Sequence, residues 1–167
     1  MSLYFGIPIL LLAAVVQSTL LQNLHILGGR PDLVILLTIT WAIIRGANEG
    51  ALWGFVAGIS CDALSGGSFG LWTVTLTAVG FLSGQQWVYS LGPTLIRLAL
   101  MSALGTIMAH LILVLSMGLL GYGVNIATAL STVAGPAALI NFVLSPFAFS
   151  FLVWFHRRTA AAQGGTG

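Results

Sequence analysis

Charge is confined to eight positions of this chain: Arg30, Asp32, Arg45, Glu49, Asp62, Arg97, Arg157 and Arg158. A charged side chain at the centre of a bilayer costs about 3 kcal/mol or more, so charges collect where helices leave the hydrocarbon. Between the eight lie apolar stretches of roughly bilayer-spanning length. A soluble domain is about one-quarter charged, whereas here the share is 5%, with 58% hydrophobic residues and a mean hydropathy of +1.06. Such a chain cannot cover itself with a polar surface and reads as an integral membrane protein of one domain. A net charge of +2 is too small to imply a nucleic-acid partner, and the arginines suit lipid headgroups instead.

The fold class expected is an all-α integral membrane protein, a bundle of six transmembrane helices. The apolar runs predict spans over residues 3–21, 31–44, 50–64, 69–88, 95–120 and 134–155. They form one membrane domain over 1–158, followed by a disordered tail over 159–167. No basic leader and no small-residue cleavage pattern precede Gln17, so the first run reads as a retained span rather than a signal peptide. The second and third spans are short for a hydrocarbon core of roughly 30 Å, which points to local thinning or re-entry. Six spans put both termini on one side. With both cytoplasmic, Arg45, Arg97, Arg157 and Arg158 face inward and only Arg30 faces out, as the positive-inside rule demands. Trp41, Trp87, Tyr89, Tyr122 and Trp154 lie near span ends, as an aromatic belt requires.

Gly46, Gly50, Gly54, Gly58 and Asp62 recur at intervals of four, which places them along one stripe of a helix. Glycines in such a row let another backbone approach closely. Packing within the bundle and an interface with a second protein are both open. Asp62 needs a partner at its helix end. Arg30 and the amides around Gly66-Gly67 are the candidates for a structural role, and a partner contact or proton transfer are the alternatives. Asp32 follows Pro31 and suits the positive end of the second helix. Arg30, Asp32 and Asp62 together would suit a partner segment just outside the membrane. Arg45 and Glu49, four apart at the inner turn, form either a local pair or a cytoplasmic docking contact. His110 stands alone in its span and reads as a neutral ring bonded to a neighbour. Asn141 and Pro146 read as an interhelical hydrogen bond and a kink, and Cys61 as a buried thiol. No second His or Cys sits at ligand spacing, so no metal is expected. No catalytic set, phosphate loop or dinucleotide fingerprint appears either, so neither enzyme activity nor a cofactor is expected.

The residues Pro31-Asp32, then Gly50, Gly54, Phe55, Gly58 and Asp62, then Gly70-Leu71 resemble the rod shape-determining MreD family. That family shows a Pro-Asp start to its second helix, a pattern like G-x-x-x-G-F-x-x-G-x-x-x-D, and a Gly-Leu after a short loop. The close match covers about 40 residues, and length, hydropathy and a basic C-terminus extend it over the chain. The leucine usual before the acid is replaced here by Ile59-Ser60-Cys61. The resemblance implies a non-enzymatic scaffold subunit of the bacterial elongation machinery. Its partner would be MreC, and it would act with MreB, RodA and a class B penicillin-binding transpeptidase to place lateral peptidoglycan synthesis. The family is also similar to substrate-binding subunits of energy-coupling-factor vitamin transporters, which supplies the alternative function.

Overall fold

The structure, a computed structural model, describes residues 3–19, 29–66, 69–123 and 125–163, with the backbone alone for 3–5 and 156–163. It is helical throughout its long elements: α1 (Leu3–Thr19), α2 (Leu33–Arg45), α3 (Ala47–Ser65), α4 (Leu71–Ser83), α5 (Thr94–Leu119), the single turn α6 (Ile126–Ala129) and α7 (Gly135–Gln163). A 3-10 helix, Gln86–Leu91, precedes α5, and a π-helical turn, Leu130–Ala134, joins α6 to α7. Two segments, Thr94–Leu119 and Ile126–Phe155, are long and apolar enough to cross a bilayer. Gly6–Thr19, Leu33–Arg45 and Leu71–Ser83 are shorter apolar helices.

The shortness of α2 has a structural reason other than membrane thinning. Every residue from Val34 to Ile43 is buried, and α2 packs against α1, α3, α4, α5 and α7. It is the axis of the bundle, wrapped by protein rather than lipid. A helix shielded in this way can end wherever protein groups satisfy its terminal amides and carbonyls. Its two buried hydroxyls are satisfied locally: Thr38 and Thr40 donate to the carbonyls of Val34 (2.8 Å) and Leu36 (2.7 Å). Trp41 belongs to this axis. Its ring stacks on Trp53 with centroids 4.3 Å apart, and it is fully buried. The expectation that Trp41 joins an interfacial belt is therefore corrected, because burial against a second indole outweighs any headgroup contact. Trp87, Tyr89, Tyr122 and Trp154 are exposed.

Three boundaries differ from those the hydropathy suggests. α4 stops at Ser83 rather than near residue 88, because Gly84 is pressed onto the Gly46–Ala47 backbone. The chain cannot continue straight through that contact, and it turns into the 3-10 helix. The last span starts earlier, as one helical path from Ile126. Pro136 has no N–H to give, and the wider π turn ahead of it carries the bond from the Gly135 amide to the Leu130 carbonyl. Finally, α7 continues to Gln163, so the expected tail from residue 159 is helical over its first five residues, and 164–167 lie outside the described residues. Within α7, Pro146 frees the carbonyl of Phe142, which accepts a bond from the Ser145 hydroxyl at 2.8 Å.

Candidate functional site

Gly50, Gly54 and Gly58 of the glycine stripe lie in the seam between α3 and α4, whereas Gly46 is not helical and forms the junction between α2 and α3 with φ 95°. A β-carbon at Gly54 would fall on the carbonyl of Leu76, and one at Gly58 on the Thr73 backbone. At Gly50 it would meet Ala42 and the Gly80 carbonyl, and Gly80 meets Gly50 in return. The two helices touch backbone to backbone, which only residues without side chains permit. Gly50, Gly54 and Gly58 are buried there, so this stripe is occupied within the chain.

Asp62 follows one turn after Gly58 on the same face. It is 3% exposed, and its carboxylate takes the start of α4. The amides of Gly70 and Thr73 donate to Oδ2 and that of Trp72 to Oδ1, each at 3.0 Å, and the Thr73 hydroxyl donates to Oδ2 at 2.6 Å. The cap position of α4 is Gly70, with φ 104°, a backbone that glycine adopts freely and that leaves no side chain to cap. Asp62 supplies from α3 the oxygen that a Ser or Asp would ordinarily supply locally. The amides that hold it come from Gly70 to Thr73, later in the chain than Gly66-Gly67.

Asp32 lies at the same end of the bundle and is also buried. It stands at the cap position of α2, but its side chain makes no capping bond. Gln17 of α1 does that work instead: its Oε1 accepts the Val34 amide at 3.0 Å, while its Nε2 donates to Asp32 Oδ1 at 3.2 Å. The Asp32 amide donates to Asn141 Oδ1 of α7 at 3.2 Å, and Asn141 Nδ2 donates to the Thr106 hydroxyl of α5 at 2.9 Å. Ser102 donates to the Asn141 carbonyl at 3.3 Å. His110 turns Nδ1 to the Thr106 carbonyl at 2.9 Å and Nε2 to Asp32 Oδ2 at 3.6 Å. The carbonyl can only accept, so Nδ1 is the donor there, and 3.6 Å is beyond a hydrogen bond. Four helices thus meet through one polar cluster. Asp32 and Asn141 were legible in sequence. Gln17, Ser102 and Thr106 were not, because single polar residues on apolar helices carry no spacing signal.

Beside Asp32, among residues of α1, α3, the start of α4 and the chain entering α2, is a cavity of about 190 Å³. Asp32 and Gln17 line one side, Cys61, Ser65 and Trp72 the other, with Arg30 at the rim. Arg30 is exposed, whereas neither carboxylate is offered at the surface. Burial has turned both acids to partners inside the chain. At the opposite end Arg45 and Glu49 do form a local pair. Arg45 Nη2 donates to Glu49 Oε1 at 2.8 Å, and Nε donates to both oxygens at 3.0–3.1 Å. The hydrogen bonds to Glu49 raise the Arg45 pKa, so the guanidinium stays charged. Nearby, the Arg97 guanidinium lies 4.6 Å above the Tyr89 ring, and Tyr89 donates to the Ile43 carbonyl at 3.3 Å. Among the described residues no group of three His, Cys, Asp or Glu side chains converges as a metal site would require.

The glycine seam, the acid that caps the next helix and the Gly-Leu that receives it form one structural unit, spanning the motif residues from Gly50 to Leu71. The family model of the rod shape-determining protein MreD matches residues 1–158 of the 167. The chain belongs to the MreD family. No curated protein and no solved structure matches it, and the kinship with energy-coupling-factor subunits has no counterpart here. Membership makes this a membrane protein of the rod-shape-determining system. It also gives the MreD motif a physical meaning in this chain. The glycines bring α4 against α3, and the aspartate closes the end of α4 that the glycines bring near.

Proposed function

We propose that this MreD-family chain is a non-enzymatic, six-span scaffold of the bacterial inner membrane with both termini in the cytoplasm. It holds a single-span MreC partner against its lateral face. Through MreC it helps MreB, RodA and a class B penicillin-binding transpeptidase to place lateral wall synthesis. The observation that carries this reading is the family match over nearly the whole chain. The Gly50–Gly58 stripe is taken by α4, so a partner must use a face that the chain leaves open. On α7, Leu139, Val143, Phe147 and Phe151 recur every four residues and are all exposed. They make a ridge that a partner helix can pack against. Contact there would rest on van der Waals fit, since lipid tails already satisfy apolar surface.

Depletion in a rod-shaped host tests the function. Cells should round up, and the wild-type chain should restore rods and co-purify with its single-span partner. Depleted cells that keep their shape would overturn the reading. Orientation is tested separately by cysteine labelling in a background without Cys61. A cysteine at position 28 should react from outside and one at position 92 should not; the reverse pattern would overturn the topology.

A further inference from the structure

We propose that the cavity between Asp32 and Trp72 is a binding site for the headgroup of a zwitterionic aminophospholipid, a phosphate joined to a primary ammonium. Size is the first constraint. Sites for drug-sized ligands occupy about 300–1,000 Å³, and this one encloses about 190 Å³, room for about six waters at roughly 30 Å³ each. A phosphoethanolamine group is of that order, and a vitamin-sized solute is not.

The order of charges is the second constraint. Arg30 is exposed at the rim, and Asp32, within electrostatic reach of it, is buried at the base. A phospholipid enters a pocket with its phosphate nearest the glycerol and its ammonium at the tip. The phosphate then meets the Arg30 guanidinium at the mouth, and the ammonium reaches the Asp32 carboxylate. Asp32 has acceptor capacity to spare: Oδ1 takes one Gln17 N–H, and Oδ2 faces His110 at 3.6 Å. The Ser18 hydroxyl on the wall donates to the Val15 carbonyl at 3.0 Å, and its oxygen can still accept a bond from the ammonium.

Access is the third. Leu64 lines the cavity and is itself an exposed large apolar residue. The cavity therefore adjoins the lipid-facing surface at the helix ends, and acyl chains can lie along that surface while the headgroup turns in. This site needs neither the partner nor the orientation proposed above, so its failure and theirs are separable.

The test is native mass spectrometry and thermal melting of the purified full chain with phosphatidylethanolamine, phosphatidylglycerol or phosphatidylcholine titrated in. Phosphatidylethanolamine should be retained several-fold over the other two and should raise the melting temperature. Phosphatidylglycerol lacks the cation, and choline has no N–H to donate. Arg30→Gln and Asp32→Asn should each abolish the preference. Because Asp32→Asn can also disturb folding, Ser65→Trp, which fills the cavity from the exposed end of α3, should abolish it with the melting temperature of the lipid-free protein preserved. Equal retention of the three lipids, or a preference that survives Ser65→Trp, would overturn the site. Equal stabilisation by free phosphoethanolamine would overturn the lipid as its source.

Discussion

Asp62 and Asp32 are two buried carboxylates at one end of the same bundle, and they are held in different ways. Asp62 receives three backbone amides and a hydroxyl from Gly70, Trp72 and Thr73 at the start of α4. Its donors cannot move without unwinding a helix. Asp32 receives one bond from the end of a glutamine, faces a histidine across 3.6 Å, and borders a cavity. Its neighbours are side chains from α1 and α5, which can adjust their rotamers. A carboxylate satisfied by backbone is part of the frame. One satisfied by long side chains beside open space has room to exchange partners, and that is where a ligand can compete.

The largest effect should fall on the frame. Gly54→Leu places a branched side chain on the Leu76 carbonyl, where backbone leaves no room. Overpacking of a tight contact costs about 3 kcal/mol or more in the severe cases. Thermal melts in detergent should show a large loss or no folded protein. The matched control is Gly118→Leu on α5, where an added carbon meets nothing within 4 Å, and the change should stay within about 0.5 kcal/mol. Equal effects of the two substitutions would show that the seam is looser than its geometry.

Next comes the direct contrast between the acids. Asp62→Asn turns an N–H donor toward a set of donors and removes the charge from bonds worth about 1.5–3 kcal/mol each. A loss of about 2–3 kcal/mol is expected. Thr73→Val, which removes one of those donors, should cost about 1.5 kcal/mol. Combined with Asp62→Asn, the two should cost less than their sum, since both remove the same bond. Strict additivity in unfolding measurements would break the proposed coupling.

Asp32→Asn should cost less than Asp62→Asn, about 1 kcal/mol, because a single neutral amide is its only hydrogen-bonded side-chain donor among the described contacts. A larger loss at Asp32 than at Asp62 would reverse the comparison and make Asp32 the structural acid. The smallest change is expected at the other end of the bundle. Glu49→Gln removes an ion pair whose side chains are 35% and 37% exposed, and exposed pairs of this kind are worth about 0.3–0.5 kcal/mol. Even that difference should vanish when the melts are repeated in high salt.

The sparse charges, the apolar runs between them and the regular glycines are visible in the chain itself. Each reflects a local cost: of a charge in hydrocarbon, or of a side chain where backbones touch. They were enough to place the chain among membrane helical proteins, and the residues from Pro31 to Leu71 were enough for its family. Helix lengths were legible where an element keeps an exposed apolar face: α5 follows its hydropathy closely over Thr94–Leu119. α2 does not show in its sequence that it is the axis, because an apolar helix surrounded by protein and one surrounded by lipid have the same composition. The same ambiguity hid the role of Trp41, since a tryptophan near the end of an apolar run suits an interface or a buried stack equally well by sequence.

The acids divide in the same way. That Asp62 would need donors followed from its charge and its place at the end of an apolar helix. That the donors would be the first amides of α4 depended on the glycine seam bringing Gly70 to Thr73 alongside. Asp32 was legible as a helix start, but its neighbours Gln17, His110 and Asn141 are 15, 78 and 109 residues away in sequence. Only the packing of α1, α5 and α7 around α2 brings them to it. A short-range pattern records what a residue costs where it stands. Which distant side chain meets that cost is decided by the tertiary structure, because hydrogen bonds act over about 3 Å in space regardless of separation along the chain.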